Sequence, residues 1–94
     1  MELDAQMVVE NDSFNAGSFV EYLNECNIHV DLVMVLYPVS RTISFRTMND
    51  DINVGKIAKA IGGGGHDKVS GAKLSIDNFQ QAMRRYYCIS RNLK

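Results

Sequence analysis

The sequence predicts a small single domain of the α/β (α+β) class, in which a short central mixed β-sheet is flanked by helices. Its 94 residues suit one compact domain, and 46% of them are hydrophobic and 22% charged. Segments with helical spacing of apolar residues also alternate with segments of strand pattern. No apolar run approaches the roughly 20 residues that cross a bilayer, so no membrane partner is expected. The acidic residues 1–4 do not resemble a secretory signal, and two cysteines without a disulfide framework favour a cytoplasmic location.

The N-terminal part of the chain predicts a strand or tether followed by a helix. Residues 1–12 are acidic and are expected to form a tether or a short edge strand, so the domain itself is assigned to residues 13–94. Apolar residues then recur at i, i+3, i+4 and i+7 within residues 15–26, which is typical of one face of a helix. Ser13 or Asn15 is expected to cap its first turn.

Two strands are predicted next. An unbroken apolar run over residues 30–37, ended by Pro38, is typical of a central strand that is covered on both faces. Residues 41–47 alternate between apolar and polar side chains, as in a half-buried strand, and are expected to pair antiparallel with that run. Arg46 ends the polar side of this strand. Its planar guanidinium could hold a phosphate or the edge of a base there, or it could simply be solvated.

The C-terminal half predicts a helix, a return strand and a last helix. Asn53 is expected to cap a short helix whose apolar residues again follow helical spacing. Residues 73–76 are predicted to form the return strand, and Asp77 is predicted to cap the last helix. The expected order of elements is therefore α-β-β-α-loop-β-α.

Residues 62–66 are Gly-Gly-Gly-Gly-His and directly follow the second predicted helix. Successive glycines let N–H groups converge in a nest that favours an anion, with phosphate the commonest candidate. His66 stands at the end of the run, where it can donate a hydrogen bond. The alternative is that Gly62 only ends the helix and the other glycines form a surface loop. Neither the dinucleotide fingerprint nor the phosphate-binding loop of nucleotide triphosphatases fits, because the run follows a helix and Lys68 is not preceded by glycine.

Charge is divided unevenly along the chain. Residues 1–40 hold seven acids and no lysine or arginine, whereas residues 41–94 hold all ten bases and four acids. A local positive field near the glycines would attract anions although the net charge is −1. The sequence shows no paired carboxylates, activated nucleophile or complete metal-ligand set, so no catalytic or metal-binding residue is assigned.

With these residues in view, the segment over residues 19–76 resembles the DHHA1 domain, the C-terminal substrate-binding domain of DHH-family phosphoesterases, which include oligoribonuclease-like, exopolyphosphatase-related and RecJ-like proteins. Four segments carry the resemblance: the apolar strand over 30–37, Ser44-Phe45-Arg46, the start of the helix over 53–58, and the glycine–histidine run with Ser70-Gly71-Ala72 after it. Val69 departs from the family pattern, which more often has alanine there.

The resemblance implies a set of residues that receive the nucleotide or terminal phosphate of a substrate. They are Arg46, Gly62, Gly63, Gly64, Gly65, His66, Ser70 and Gly71. It also implies that a separate N-terminal DHH domain, with an Asp-His-His motif, holds two manganese ions that activate water. That motif does not occur in these 94 residues. The expected function is therefore substrate binding for a manganese-dependent DHH-type phosphoesterase that acts on short oligonucleotides or small phosphorylated nucleotides. The chain by itself is expected to hold no cofactor and to be inactive.

The same resemblance leaves a second class of function open. The C-terminal domain of alanyl-tRNA synthetases also belongs to the DHHA1 family and serves RNA binding and assembly. A broad basic surface would favour that function; its candidate side chains are Lys56, Lys59, Lys68, Arg84 and Arg85. A third alternative is a dimerisation module, marked by exposed apolar surface, so a homodimer is left open.

Overall fold

The computed structural model of the protein describes residues 5–92, with side chains through residue 84. Within this part of the chain the elements are β1 (Ala5–Val9), α1 (Ala16–Glu25), β2 (Leu32–Tyr37), β3 (Thr42–Arg46), α2 (Val54–Ala60), β4 (Gly64–Gly65), β5 (Val69–Lys73) and α3 (Ile76–Asn92). The strands form one mixed sheet in the order β1-β2-β3-β5-β4, with β1 parallel to β2 and the other pairs antiparallel. The predicted class, a small α/β domain with a mixed sheet flanked by helices, is confirmed.

Helix α1 begins and ends within a residue of the predicted range. The side chain of Asn15 caps it, because its Oδ1 accepts a hydrogen bond from the N–H of Ser18 at 3.0 Å. Ala16 and Leu23 are buried and belong to one cluster with Val33 of β2. The helix therefore packs its side chains on β2 and also approaches β3.

Strand β2 is buried on both faces, as its apolar run predicts. Val33 and Val35 pack with α1, whereas Leu36 belongs to the cluster formed with α2. Its neighbour β3 pairs antiparallel with it, also as predicted. Strand β2 lies inside the sheet, as predicted, between β1 at the edge and β3, the middle strand of five.

The two faces of the sheet are covered to different extents. On one face, the α2 face, Ile43 and Phe45 of β3 and Ala72 of β5 pack in the same cluster as residues of α2 and α3. On the other face, the α1 face, the cluster around α1 draws on residues of β1 and β2, and the members of β3, β4 and β5 that the structure describes take no part in it. Helix α1 also approaches β3, so among the described residues the α1 face is open over β5 and β4.

Two boundaries in the last third of the chain differ from the prediction. The return strand β5 covers Val69–Lys73 instead of residues 73–76, because these residues form the ladder with β3. Ser75 and not Asp77 caps α3, since its Oγ accepts a hydrogen bond from the N–H of Asn78 at 3.1 Å. Asp77 lies in the first turn, where its negative charge interacts favourably with the positive end of the helix dipole.

Several residues used in the sequence analysis lie outside the described part of the structure. These are residues 1–4 and the side chains of Arg85 and Cys88. Within residues 5–92, none of the helices combines the length and the apolar character that crossing a membrane requires.

Candidate functional site

The first two glycines of the run end α2. The N–H of Gly62 donates to the carbonyl of Lys59 at 3.2 Å, and the N–H of Gly63 donates to the carbonyl of Ala58 at 2.8 Å. This pair of bonds is the Schellman motif, in which the residue after the helix adopts a left-handed conformation. Gly62 has φ +92°, which favours glycine strongly. The helix-terminating role considered for Gly62 is therefore confirmed.

The next two glycines form the short strand β4, which pairs with β5. Beyond it the N–H of His66 donates to the carbonyl of Val69 at 2.7 Å and closes a tight hairpin. A Cβ on Gly63 would lie 2.7 Å from the Cα of Ala72, and one on Gly65 would lie 2.6 Å from the Cα of Ser70. The backbone that approaches these glycines closely is thus that of β5. The predicted anion nest is wrong, because the amides of Gly62, Gly63 and His66 donate within the fold.

Gly64 differs from the other three glycines. A Cβ at this position would meet no atom within 4 Å, and its φ is not positive. It pairs with Gly71, which in turn pairs with Ser44 of β3. Neither packing nor backbone conformation explains a glycine at this position, so Gly64 is the member of the run that remains available for a ligand.

The register of the three strands brings Arg46 and His66 to the same face. Arg46 pairs with Val69, and the N–H of His66 is bonded to the carbonyl of Val69, so the three residues stand side by side. Side chains alternate along a strand, so this row and the row of Ser44, Gly71 and Gly64 project from the α1 face. Neighbouring strands are about 4.8 Å apart, which puts Arg46 and His66 about 10 Å apart across β5. We call these six residues the polar shelf: Ser44, Arg46, Gly64, His66, Val69 and Gly71.

The guanidinium of Arg46 leans towards the first turn of α1. A Cβ on Gly17 would lie 3.5 Å from its Nη1. Its Nε is buried without a hydrogen-bond partner. Arg46 belongs to neither of the two ion pairs among the described residues, which join His29 to Asp31 and Lys68 to Asp50. The first turn of α1 holds no acid either. Because a helix N-terminus carries partial positive charge, a guanidinium beside it attracts an anion rather than balancing the local charge.

Ser70 lies away from the other predicted site residues. It is buried on the α2 face, and its Oγ donates to the carbonyl of Val54 at 2.6 Å. Strand alternation explains this position, since Ser70 and Gly71 are neighbours in β5 and point to opposite faces. The hydroxyl of Ser70 is therefore part of the contact between β5 and α2.

The His66 hairpin is held from several directions. The N–H of Val54 donates to the carbonyl of Asp67 at 2.8 Å, and the N–H of Thr47 donates to the carbonyl of Lys68 at 3.3 Å. The ammonium of Lys68 donates to the carbonyl of Asn49 at 3.0 Å and also pairs with Asp50. These contacts hold the backbone of the hairpin at His66 in place, although the side chain of His66 is exposed.

Sequence reasoning missed two glycines that adjoin the shelf. A Cβ on Gly55 would lie 2.8 Å from the carbonyl oxygen of His66, and Gly17 adjoins Arg46 as described above. Each follows an asparagine by two residues, at Asn15 and Asn53. The repeated Asn-x-Gly at two helix starts is the signal that could have drawn attention to them.

Metal ligation receives no support within the part of the chain that the structure describes. No three side chains of histidine, cysteine, aspartate or glutamate come together there in a way that could hold a metal ion. Two shallow concavities, of about 380 and 320 Å³, lie away from the shelf, one beside α1 at Glu21 and His29 and one on the α2 face at Ile61 and Leu74. The shelf itself is an open surface.

The fold and this site define a small α/β domain whose open sheet face carries a glycine–histidine hairpin and an arginine that enters no ion pair among the described residues. Residues 5–87 match the DHHA1 domain model, and the chain belongs to the DHHA1 domain family, as the resemblance predicted.

Two known proteins are similar to the chain. It is 38% identical over 58 residues to oligoribonuclease NrnB of Bacillus subtilis strain 168. The aligned segment covers 62% of this chain and 14% of NrnB. Its fold is similar to the pGpG-specific phosphodiesterase PggH of Vibrio cholerae, with a TM-score of 0.55 and 13% identity over 92% of this chain and 32% of that one. The chain thus spans a third or less of either protein.

Proposed function

We propose that this domain binds the phosphorylated end of a short oligonucleotide or small phosphorylated nucleotide on the polar shelf. In this proposal it is the substrate-binding part of a manganese-dependent DHH-family phosphoesterase. The observation that carries it is Arg46, on the same open face as Gly64 and His66. Its Nε is buried without a hydrogen-bond partner, and it enters neither ion pair among the described residues. NrnB is an oligoribonuclease and PggH is a phosphodiesterase specific for pGpG, which supports short nucleotides as the ligand class.

Four residues of the shelf have a role in this proposal. Arg46 offers parallel N–H donors that match two oxygens of a phosphate, next to the positive end of α1. His66 donates a hydrogen bond from the far side of β5. Between them Gly64 and Gly71 leave a floor without side chains, so a sugar or base can approach the backbone.

The chemistry of hydrolysis is proposed to lie outside these residues. Because no metal-ligand cluster occurs among the described side chains, no bond-breaking step is assigned to this chain. A separate DHH domain would supply the manganese ions and the activated water. The contribution of the shelf is orientation, which lowers the barrier by fixing one end of the substrate relative to the reacting phosphodiester.

The position of the basic side chains favours the small ligand over long RNA. Lys56 and Lys59 lie on α2 and Arg84 on α3, which are the helices of the opposite face, and Lys68 is already engaged with Asp50. The RNA-binding alternative needs these groups to form one surface with Arg46. A cytoplasmic location and a homodimer also remain proposals.

The direct test is a titration of isotope-labelled protein with a 5′-phosphorylated dinucleotide, followed by NMR. Binding on the shelf should shift the amides of Gly64, His66 and Gly71 and the Nε–Hε signal of Arg46, in a saturable way. The matched controls are the same dinucleotide without its phosphate and the variant Lys59→Gln, which removes a charge from the opposite face. If the folded wild-type protein shows no shelf shifts at millimolar ligand, or if Lys59→Gln weakens binding as much as Arg46→Gln, the proposal is wrong.

A further inference from the structure

We propose that Gly17 and Gly55 are positioning residues for the polar shelf. The missing side chain at each of these two helix starts sets where the guanidinium of Arg46 and the peptide of His66 lie. Together they set the distance between the two groups that hold the ligand. This inference rests on the proposed function and adds two residues outside the shelf to it.

The two helix starts are built in the same way. Asn15 accepts the N–H of Ser18 at 3.0 Å, and Asn53 accepts the N–H of Lys56 at 3.1 Å. Each glycine is the second residue of its helix, and in both places a Cβ would lie 3.2 Å from the Oδ1 of the capping asparagine. The local helix geometry is therefore the same around the two glycines. Any difference between the effects of substituting them comes from atoms outside the helix.

What lies outside the helix is, in each case, one end of the shelf. At Gly17 a Cβ would lie 3.5 Å from Nη1 and 3.8 Å from Cζ of Arg46. An alanine at this position would thus be in van der Waals contact with the guanidinium, and a longer side chain would occupy the space that the guanidinium fills. At Gly55 a Cβ would lie 2.8 Å from the carbonyl oxygen of His66 and 3.2 Å from that of Gly65. Because these are backbone atoms, even alanine must move the hairpin.

The hairpin can move at this point without leaving α2. The N–H of Val54 holds the carbonyl of Asp67 at 2.8 Å, and the carbonyl of Val54 accepts Ser70 at 2.6 Å. Both bonds lie after His66 along the chain, and before it the N–H of Gly63 donates to the carbonyl of Ala58 of the same helix at 2.8 Å. A Cβ on Gly55 would therefore tilt the His66 peptide about two fixed points, which changes its position on the shelf more than its attachment to the fold.

Helix propensity separates positioning from stability. Alanine is a better helix former than glycine, so the helix itself gains from Gly17→Ala and from Gly17→Leu. A loss of ligand binding in a Gly17 variant that folds at least as well as the wild type must come from Arg46. The pair of glycines also offers a matched comparison, because Gly17→Ala and Gly55→Ala change the same helix position behind the same cap.

The experiment compares Gly17→Leu and Gly55→Ala with the wild-type 94-residue protein, with Gly17→Ala as the folding reference and Lys59→Ala as the binding control. Thermal unfolding is measured for each, then the Arg46 Nε–Hε and His66 ring signals without ligand, then the affinity for a 5′-phosphorylated dinucleotide. Gly17→Leu should move the Arg46 signal and Gly55→Ala the His66 signals. Each should weaken binding about tenfold, whereas Lys59→Ala should not.

The outcomes are distinct. An unmoved Arg46 signal with unchanged affinity in Gly17→Leu would overturn the assignment of Gly17. Failure of Gly55→Ala to fold, while Gly17→Ala folds, would show that the fold itself needs Gly55 and would overturn its assignment. If the wild type binds no dinucleotide, the proposed function fails, and the ligand-free signals still decide whether the two glycines position Arg46 and His66.

Discussion

Replacing Gly64 by alanine should separate ligand binding from stability. A Cβ at this position meets nothing within 4 Å and its φ is not positive, so alanine fits without strain. Gly→Ala at a compatible position stabilises a protein by about 0.4–1 kcal/mol, because it restricts the unfolded chain. The new methyl group would nevertheless project from the floor of the shelf by about 1.5 Å. A displacement of that size should weaken binding of a phosphorylated dinucleotide by at least about tenfold.

The matched variant is Gly62→Ala, two residues earlier in the same run. Gly62 has φ +92°, and a non-glycine residue in a left-handed conformation costs about 1–2 kcal/mol. For a domain of this size that cost lowers the melting temperature by roughly 5–15 °C. Because Gly62 lies at the helix end and not on the shelf, the folded fraction of this variant should bind like the wild type.

Both variants can be measured with the same two assays. Circular dichroism at increasing temperature gives the melting temperature, and titration calorimetry below the transition gives the affinity. The expected pattern is a stable, weakly binding Gly64→Ala protein and a less stable, normally binding Gly62→Ala protein. A Gly64→Ala protein that melts well below the wild type, or that binds as tightly, would refute the assignment of Gly64 to an open floor.

Three further predictions concern other contacts. Arg46→Lys should keep the fold and weaken binding about tenfold, because an ammonium cannot reproduce the parallel donors of a guanidinium. Titration calorimetry measures the affinity, with Lys59→Arg as the control. An Arg46→Lys protein that binds as tightly as the wild type would contradict the prediction. Ser70→Ala should lower the free energy of unfolding by about 0.5–1.5 kcal/mol, because it removes the buried hydrogen bond from the Ser70 hydroxyl to the carbonyl of Val54. Urea denaturation measures that loss, and binding should persist. Affinity for a longer single-stranded RNA should fall with salt at a logarithmic slope of about −1.4 if only two of its phosphates are held, against about −3.5 if five are neutralised; a slope near the second value would favour long RNA.

Much of the fold could be predicted because side-chain patterns mark it. The helical spacing over α1 and the alternation over β3 each state which face is buried, and an asparagine marks each cap. Strand β4 carries no such pattern, because two glycines have no side chains to alternate. Strand β5 was misplaced for a related reason, since Val-Ser-Gly-Ala-Lys is poor in the β-branched and aromatic residues that mark strands.

The sequence names candidate site residues, whose binding role stays a prediction, but it does not give their geometry. The sequence indicates Arg46 and His66, but only the register of β3, β5 and β4 brings them to one face. The nest failed because residue type does not say whether a glycine amide points to a ligand or to the chain itself. The separation of Ser70 from Gly71, in contrast, follows from strand alternation once both are placed in one strand.

The length of the glycine run follows from the two structures that share it. Gly62 and Gly63 supply the two donors that close the end of α2, and Gly64 and Gly65 supply the two residues that pair with β5. The pairs adjoin with no residue between them. Deleting one glycine would leave either the helix end or the strand incomplete, and adding one would lengthen the link that carries the hairpin. The stretch that looks most pliable in the sequence is thus a spacer of fixed length, and insertions there should be tolerated far less well than its composition suggests.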